Sequence, residues 1–402
     1  MSDVEIRPVT ADEFARFYAT AELPYADELG DDDVARARQL LPLERTLAAF
    51  EAERVVATTA SYALDVSVPG GSTPMAGVTA VAVLPTHRRR GLVTRVLQRQ
   101  LADLHERGEA LACLWASEAT IYGRFGYGAA AYAATLTIDR PHTAFRRTPP
   151  AREVSFVDVE EALASFPAVY ERARRVRPGM PARDEPWWRL WLGHDPERRR
   201  RGRSPRFLVA TDDGYVVYRL KEGWDGWVPD NGLEVEELVA DSPDGEAALW
   251  RYCFDVDLVA QVTAERRPVD DVLPHLLVDP RRLRRVEHDS LWVRLVRLDA
   301  ALAARRYGRE ATVVLRVSDP TCPWNEGTWQ AELSPGGAAV QRSDRAPDVS
   351  LDVAELGAIY LGGQRLSQLH RAGRVVEHTA GAVAVVDACF GSDPLPWCPF
   401  VF

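Results

Sequence analysis

The sequence predicts an α+β protein of more than one domain, in which mixed sheets are packed by helices. A chain of 402 residues exceeds what one hydrophobic core ordinarily holds. Short β-branched runs alternate with helical periods through residues 1–288, and from residue 289 several strands come first and helices after. The clearest unit spans residues 77–104, where an apolar strand passes through a basic turn into an amphipathic helix.

Composition narrows the function classes. Hydrophobic residues make up 46% and charged residues 27%, as in a folded globular chain. The net charge of -10 opposes nucleic acid on average and suits cationic partners. Cys113, Cys253, Cys322, Cys389 and Cys398 are widely spaced and include no Cys-x-x-Cys pair, so neither a disulfide scaffold nor a metal site is expected. The opening residues carry acids where a signal peptide would carry bases, and the longest apolar run, near 380–390, is short and holds Asp387. A cytoplasmic enzyme with no membrane or nucleic-acid partner is the expectation.

The elements follow in order. Residues 4–9 alternate as a first strand, and Thr10 precedes a helix carrying Phe14, Phe17 and Tyr18. Residues 21–33 read as an acidic loop. Its carboxylates, among them Asp27 and Glu28, either attract a cationic acceptor or form a solvated face. Residues 45–51 read as a helix end, 55–64 as a strand, and 69–72 as a turn. Residues 78–84 form a buried strand closed by Pro85, which cannot donate to a ladder. From Leu92 the apolar period becomes helical through Val93, Val96, Leu97, Leu101 and Leu104. A strand entering a helix N-terminus exposes unpaired amides at the positive end of the helix dipole. Gly91 lets an anion approach the backbone, and Arg88, Arg89 and Arg90 add charge, so the turn is a candidate seat for phosphates. It lacks the glycine–lysine pattern of a P-loop and the three glycines of a dinucleotide fold.

Residues 111–115 are the next strand, followed by Ser117, Glu118 and a segment containing Tyr122, Gly126 and Tyr127. Residues 140–152, with Pro141, Pro149 and Pro150, read as a linker. Beyond it come a helix at 161–175, a hairpin around Asp212 and Asp213, a strand at 233–239 and a helix at 247–254. Trp187, Trp188 and Trp191 are core residues or the wall of an acceptor pocket, with core favoured. Arg198, Arg199, Arg200, Arg201 and Arg203 have no interleaved aromatics, which argues a solvated loop over an RNA contact. After residue 289 five strands lead to helices at 354–361 and 366–372 and an apolar stretch at 382–390.

The strand, the turn Arg88-x-x-Gly91-x-Val93 and the helix resemble the acyl-CoA signature of the GNAT superfamily of N-acetyltransferases, with Val93 departing where a small residue is usual. With Ser117-Glu118 and Ile121-Tyr122-Gly123-Arg124-Phe125-Gly126-Tyr127-Gly128, the match is similar to the Eis (enhanced intracellular survival) branch. That resemblance implies two tandem GNAT-like domains, 1–145 and 146–288, the second without a coenzyme turn because no Arg-x-x-Gly follows Val239. It implies a sterol-carrier-like domain at 289–402 whose lipid role does not carry over. The coenzyme contacts it implies are Val81, Ala82 and Val83 for the pantetheine arm, Arg89, Arg90, Gly91, Leu92, Val93 and Thr94 for the phosphates, and Ser117 and Glu118 beyond. Tyr122 becomes the candidate general acid, since a phenol can donate to a leaving thiolate without itself being charged. The apolar tail, residues 394–402, reads as buried, and the resemblance assigns the Phe402 carboxylate the base that takes the amine proton. Acetyl-CoA as co-substrate, aminoglycoside, polyamine or lysine amines as acceptors, and a homohexamer are likewise implied. A non-catalytic coenzyme-binding scaffold is the alternative.

Overall fold

The computed structural model describes residues 4–25 and 29–402, so Asp27 and Glu28 lie outside the described residues. It divides into two compact units, one of residues 1–131, 291–392 and 402, the other of 132–290 and 393–401.

The first unit is built on a sheet of β1 (Glu5–Arg7), β2 (Thr46–Glu51), β3 (Arg54–Val68), β4 (Gly71–Val83), β5 (Leu111–Trp115), the later strand Leu291–Leu295 and β6 (Gly128–Ala129), in that spatial order. All neighbours are antiparallel except β4 and β5, which are parallel over Met75↔Leu111, Ala76↔Ala112 and Gly77↔Cys113. Past Gly77 the two strands part, while β4 keeps its ladder to β3 as far as Val83. A bulge in that ladder puts Ala80 at φ +54°, and the Thr58 hydroxyl donates to the Ala80 carbonyl at 2.7 Å. Among the described residues this part also holds the helices α1 (Phe14–Glu22), α2 (Asp31–Leu40), α3 (Leu92–Glu106) and the one-turn α4 (Ala119–Tyr122). α3 turns Leu92, Val96, Leu97, Leu101 and Leu104 into the core.

Two local readings of the sequence are corrected here. Residues 45–51 are not a helix end. Thr46 to Phe50 form a strand buried on both faces, so they lack the alternation that marks a half-exposed strand. The acidic stretch is not all loop either, because its last acids open α2, where they favour the positive helix end and the Asp33 carboxylate accepts the Gly30 N–H at 2.9 Å.

The same unit carries a five-stranded sheet in the order Gly337–Arg342, Gly327–Ser334, Ala311–Ser318, Val349–Asp352, Val375–Glu377, with helices Val353–Ile359, Leu366–Arg371 and Ala382–Phe390. Its first helix presses on the first sheet: a Cβ on Gly357 would sit 2.3 Å from the Val293 carbonyl oxygen. Arg294 is fully buried, and its Nη2 donates to both carboxylate oxygens of Asp319 at 2.8 Å.

The second unit has its own seven-stranded sheet, ordered Arg284–Asp289, Tyr132–Asp139, Val259–Pro268, Asn231–Ala240, Gly214–Lys221, Phe207–Thr211, Ser155–Phe156. Asn231–Ala240 and Val259–Pro268 are parallel, and the helix Pro243–Asp255 connects them. Strand membership passes from the first sheet to the second between residues 131 and 132 and returns between 290 and 291. Tyr132–Asp139 pairs within the second sheet and Leu291–Leu295 returns beside β5.

Candidate active site

The parting of β4 from β5 opens a cleft of about 700 Å³. Its walls are Val81, Ala82 and Val83 on β4, then His87, Arg88, Arg89, Gly91, Leu92, Val93 and Thr94 along the turn and the head of α3. Ser117, Glu118, Ile121, Tyr122 and Arg124 close it from beyond β5, and Pro24 from beyond α1.

Each wall has a local cause. Beyond Gly77 the β5 side of β4 has no ladder partner among the described residues, and Val81, Ala82 and Val83 line the cleft there. The turn reverses through two left-handed residues, Arg89 at φ +61° and Gly91 at φ +73°. A left-handed conformation costs a non-glycine residue about 1–2 kcal/mol, and successive turn amides of this kind form an anion-binding concavity. A Cβ on Gly91 would meet nothing within 4 Å, so glycine serves conformation and close approach there rather than packing. The first intrahelical bond of α3 runs from Arg95 N–H to the Gly91 carbonyl at 3.1 Å, which leaves the amides before it for a ligand.

Ten of the eleven coenzyme residues expected from the sequence line this cleft; Arg90 does not. Its guanidinium donates to Glu51 Oε1 at 2.8 Å. Val93, expected on the core face of α3, is half-buried and lines the cleft, while Gln100 takes a core position and accepts a hydrogen bond from Thr59 Oγ1 at 3.1 Å. Arg88 and Arg89 are exposed and have no carboxylate partner among the described residues. Arg124, within Tyr122-Gly123-Arg124-Phe125-Gly126, also lines the cleft, a role that nothing in its sequence context signals beyond its place in that segment.

Tyr122 ends α4 and is 4% exposed. Its ring meets Tyr127 edge-on, with centroids 6.1 Å apart at 73°. Tyr127 is the packing member of the pair: its hydroxyl is buried without a hydrogen-bond partner among the described residues, and burial holds its pKa well above the usual phenol range. Phe402 does not line the cleft. Its ring lies at Gly77, where β4 and β5 part.

The corresponding turn of the second unit is built differently. Asn231–Ala240 leads into its helix through Ser242, whose Oγ accepts the Gly245 N–H at 3.0 Å and also meets Asp213. Asp244 and Glu246 occupy that first turn. One amide of this turn is thus already capped, and Asp213 and Glu246 are paired with Arg152 at 3.3 Å and Arg267 at 2.9 Å. Trp188 is buried against Tyr170 and Tyr215, and Trp187 lies 5.7 Å from the Phe400 ring. Of the arginine run, Arg200 pairs with Asp195 at 3.3 Å and Arg203 with Glu234 at 3.1 Å.

Comparison with known proteins gives the family. A family model described as an acetyltransferase (GNAT) domain matches residues 5–130, a second GNAT-domain model matches 179–298, and a sterol carrier protein domain matches 298–399. The fold is that of a GNAT-type N-acetyltransferase. N-acetyltransferase Eis of Mycobacterium tuberculosis is 34% identical over 403 residues, covering 96% of both chains. An uncharacterized N-acetyltransferase of Streptomyces coelicolor is 42% identical over 379 residues, 91% of each. The crystal structure of Eis1 from Mycobacterium abscessus superposes with a TM-score of 0.87 at 36% identity, covering 99% of this chain and 100% of that one. The chain belongs to the Eis family of N-acetyltransferases and transfers acetyl groups to amines. No helix of the described residues is long and apolar enough to cross a membrane.

Proposed function

We propose that the cleft holds acetyl-CoA and that the acetyl group passes directly to a primary amine in a ternary complex. The observation that carries this reading is the meeting, in one cleft, of an unpaired strand edge, a left-handed glycine at a helix head and a buried tyrosine. The residues fit the coenzyme part by part. The free edge from Val81 to Val83 suits the amides of a pantetheine arm, added as an extra strand. The amides from Gly91 to Thr94, with Arg88 and Arg89, suit the diphosphate.

The bound thioester supplies an activated acyl carbon. Attack by the amine nitrogen forms the C–N bond and breaks the C–S bond. The Tyr122 hydroxyl gives its proton to the departing sulfur, and the Phe402 carboxylate takes the proton that the nitrogen loses. The acceptor classes are aminoglycosides, polyamines and lysine side chains, with support from the family and from the chain's negative charge. A homohexamer rests on family resemblance alone, and sedimentation tests it.

Thiol release from acetyl-CoA, followed with a panel of these amines and paired with mass spectrometry of the acceptor, tests the reading. One free thiol per added acetyl group is expected. Coenzyme binding without thiol release would leave the non-catalytic scaffold in its place.

A further inference from the structure

We infer that Glu51 is a positioning residue for the phosphate turn, and that Arg90 serves the turn through Glu51 rather than binding phosphate. The inference rests on the reading of the cleft as a coenzyme site. Glu51 ends β2, at the hairpin to β3. Its two carboxylate oxygens reach two points of the turn: Oε2 lies 3.0 Å from His87 Nε2, and Oε1 accepts from Arg90 Nη2 at 2.8 Å. His87 is 8% exposed, and its other ring nitrogen is 2.8 Å from Thr86 Oγ1.

These two anchors flank Arg88 and Arg89, the two arginines of the turn that line the cleft. Arg89 is held at φ +61°, a conformation that needs support from its surroundings. One carboxylate that grips residues 87 and 90 supplies that support from outside the ligand's path. It also draws the third guanidinium off the cleft, so its negative charge faces Arg90 rather than a phosphate. The three consecutive arginines thus divide into two ligand groups and one structural tether.

The experiment compares acetyl-CoA with acetyl-pantetheine, which lacks every phosphate. Glu51→Ala should raise KM for acetyl-CoA about tenfold with kcat within about twofold, a loss typical of one charge-assisted contact, and leave KM for acetyl-pantetheine unchanged. Glu51→Gln, which keeps an acceptor oxygen, should recover part of the loss and stands in if the alanine variant does not fold. In the Glu51→Ala background, Arg90→Ala should add little, because the two residues act as one unit. An unchanged KM in both Glu51 variants, an equal rise for acetyl-pantetheine, or independent additive effects of Glu51 and Arg90 would overturn the inference. A wild-type protein that binds no coenzyme would instead overturn the reading of the cleft.

Discussion

The ring of Phe402, the last residue, lies against Gly77, the last residue of β4 to pair with β5. A Cβ built on Gly77 would stand 3.1 Å from Phe402 Cδ2. The Phe402 ring is thereby held where the sheet opens, and small size at position 77 is part of what admits it. Extending the chain by a few residues after Phe402 shifts the carboxylate while sparing the fold. Steady-state kinetics should show kcat down by about 100-fold or more, the usual worth of a positioned base, with acetyl-CoA affinity within about twofold. Undiminished turnover would remove the terminus from the chemistry.

Tyr122→Phe keeps the ring that packs on Tyr127 and removes only the hydroxyl. Turnover should fall by about 100-fold, while the dissociation constant for coenzyme A, measured by calorimetry, stays nearly the same. Tyr127→Phe, which removes a hydroxyl already buried without a partner, should leave turnover close to wild type.

Gly91→Val meets no steric neighbour, since nothing lies within 4 Å of the added Cβ, but forces a β-branched residue to φ +73°. The strain of about 1–2 kcal/mol should appear as roughly tenfold weaker coenzyme binding when the turn relaxes away from its anion-binding shape.

Gly128→Val tests how firmly the C-terminal region is joined to the first sheet. The new Cβ would stand 2.0 Å from the Ala354 carbonyl oxygen and 2.3 Å from the Ala358 nitrogen, both backbone atoms of one helical turn that cannot step aside. A loss of about 3 kcal/mol or more is expected in urea unfolding, at the upper end for overpacking.

Stability should also fall in acid through the first helix. The Arg7 guanidinium, with both contacts at 2.8 Å, and then the Thr10 N–H hold the Glu13 carboxyl down to about 2 from its ordinary 4.5. A carboxyl depressed in the folded state stabilises above its unfolded pKa, and that contribution fades as pH drops from about 4.5 toward 2. The group is near the surface, so the effect is modest. Glu13→Gln should flatten that segment of the melting-temperature profile against pH.

Much of the site is legible in the sequence because its key elements have unmixed signals. α3 begins at Leu92, where the apolar period turns helical, and β5 spans the five residues that read as a strand. The glycine of the turn, the tyrosine of α4 and the small apolar strand follow from local chemistry together with family pattern. What stays hidden depends on distant partners. Nothing near Glu51 in the sequence says that its carboxylate returns to a turn 36 residues later. Strands Val259–Pro268 and Tyr132–Asp139 escape notice because one is interrupted by charged, bulged residues and the other has its partners more than a hundred residues away. Residues 45–51 mislead for the opposite reason, since burial on both faces erases the alternation that marks a strand.

The most direct measurement is the crystal structure of the protein soaked with coenzyme A. The account predicts diphosphate density at the amides from Gly91 to Thr94 beside Arg88 and Arg89, the pantetheine arm along Val81, Ala82 and Val83, and the sulfur facing Tyr122. Density for the ligand elsewhere, with this cleft holding only water, would contradict it.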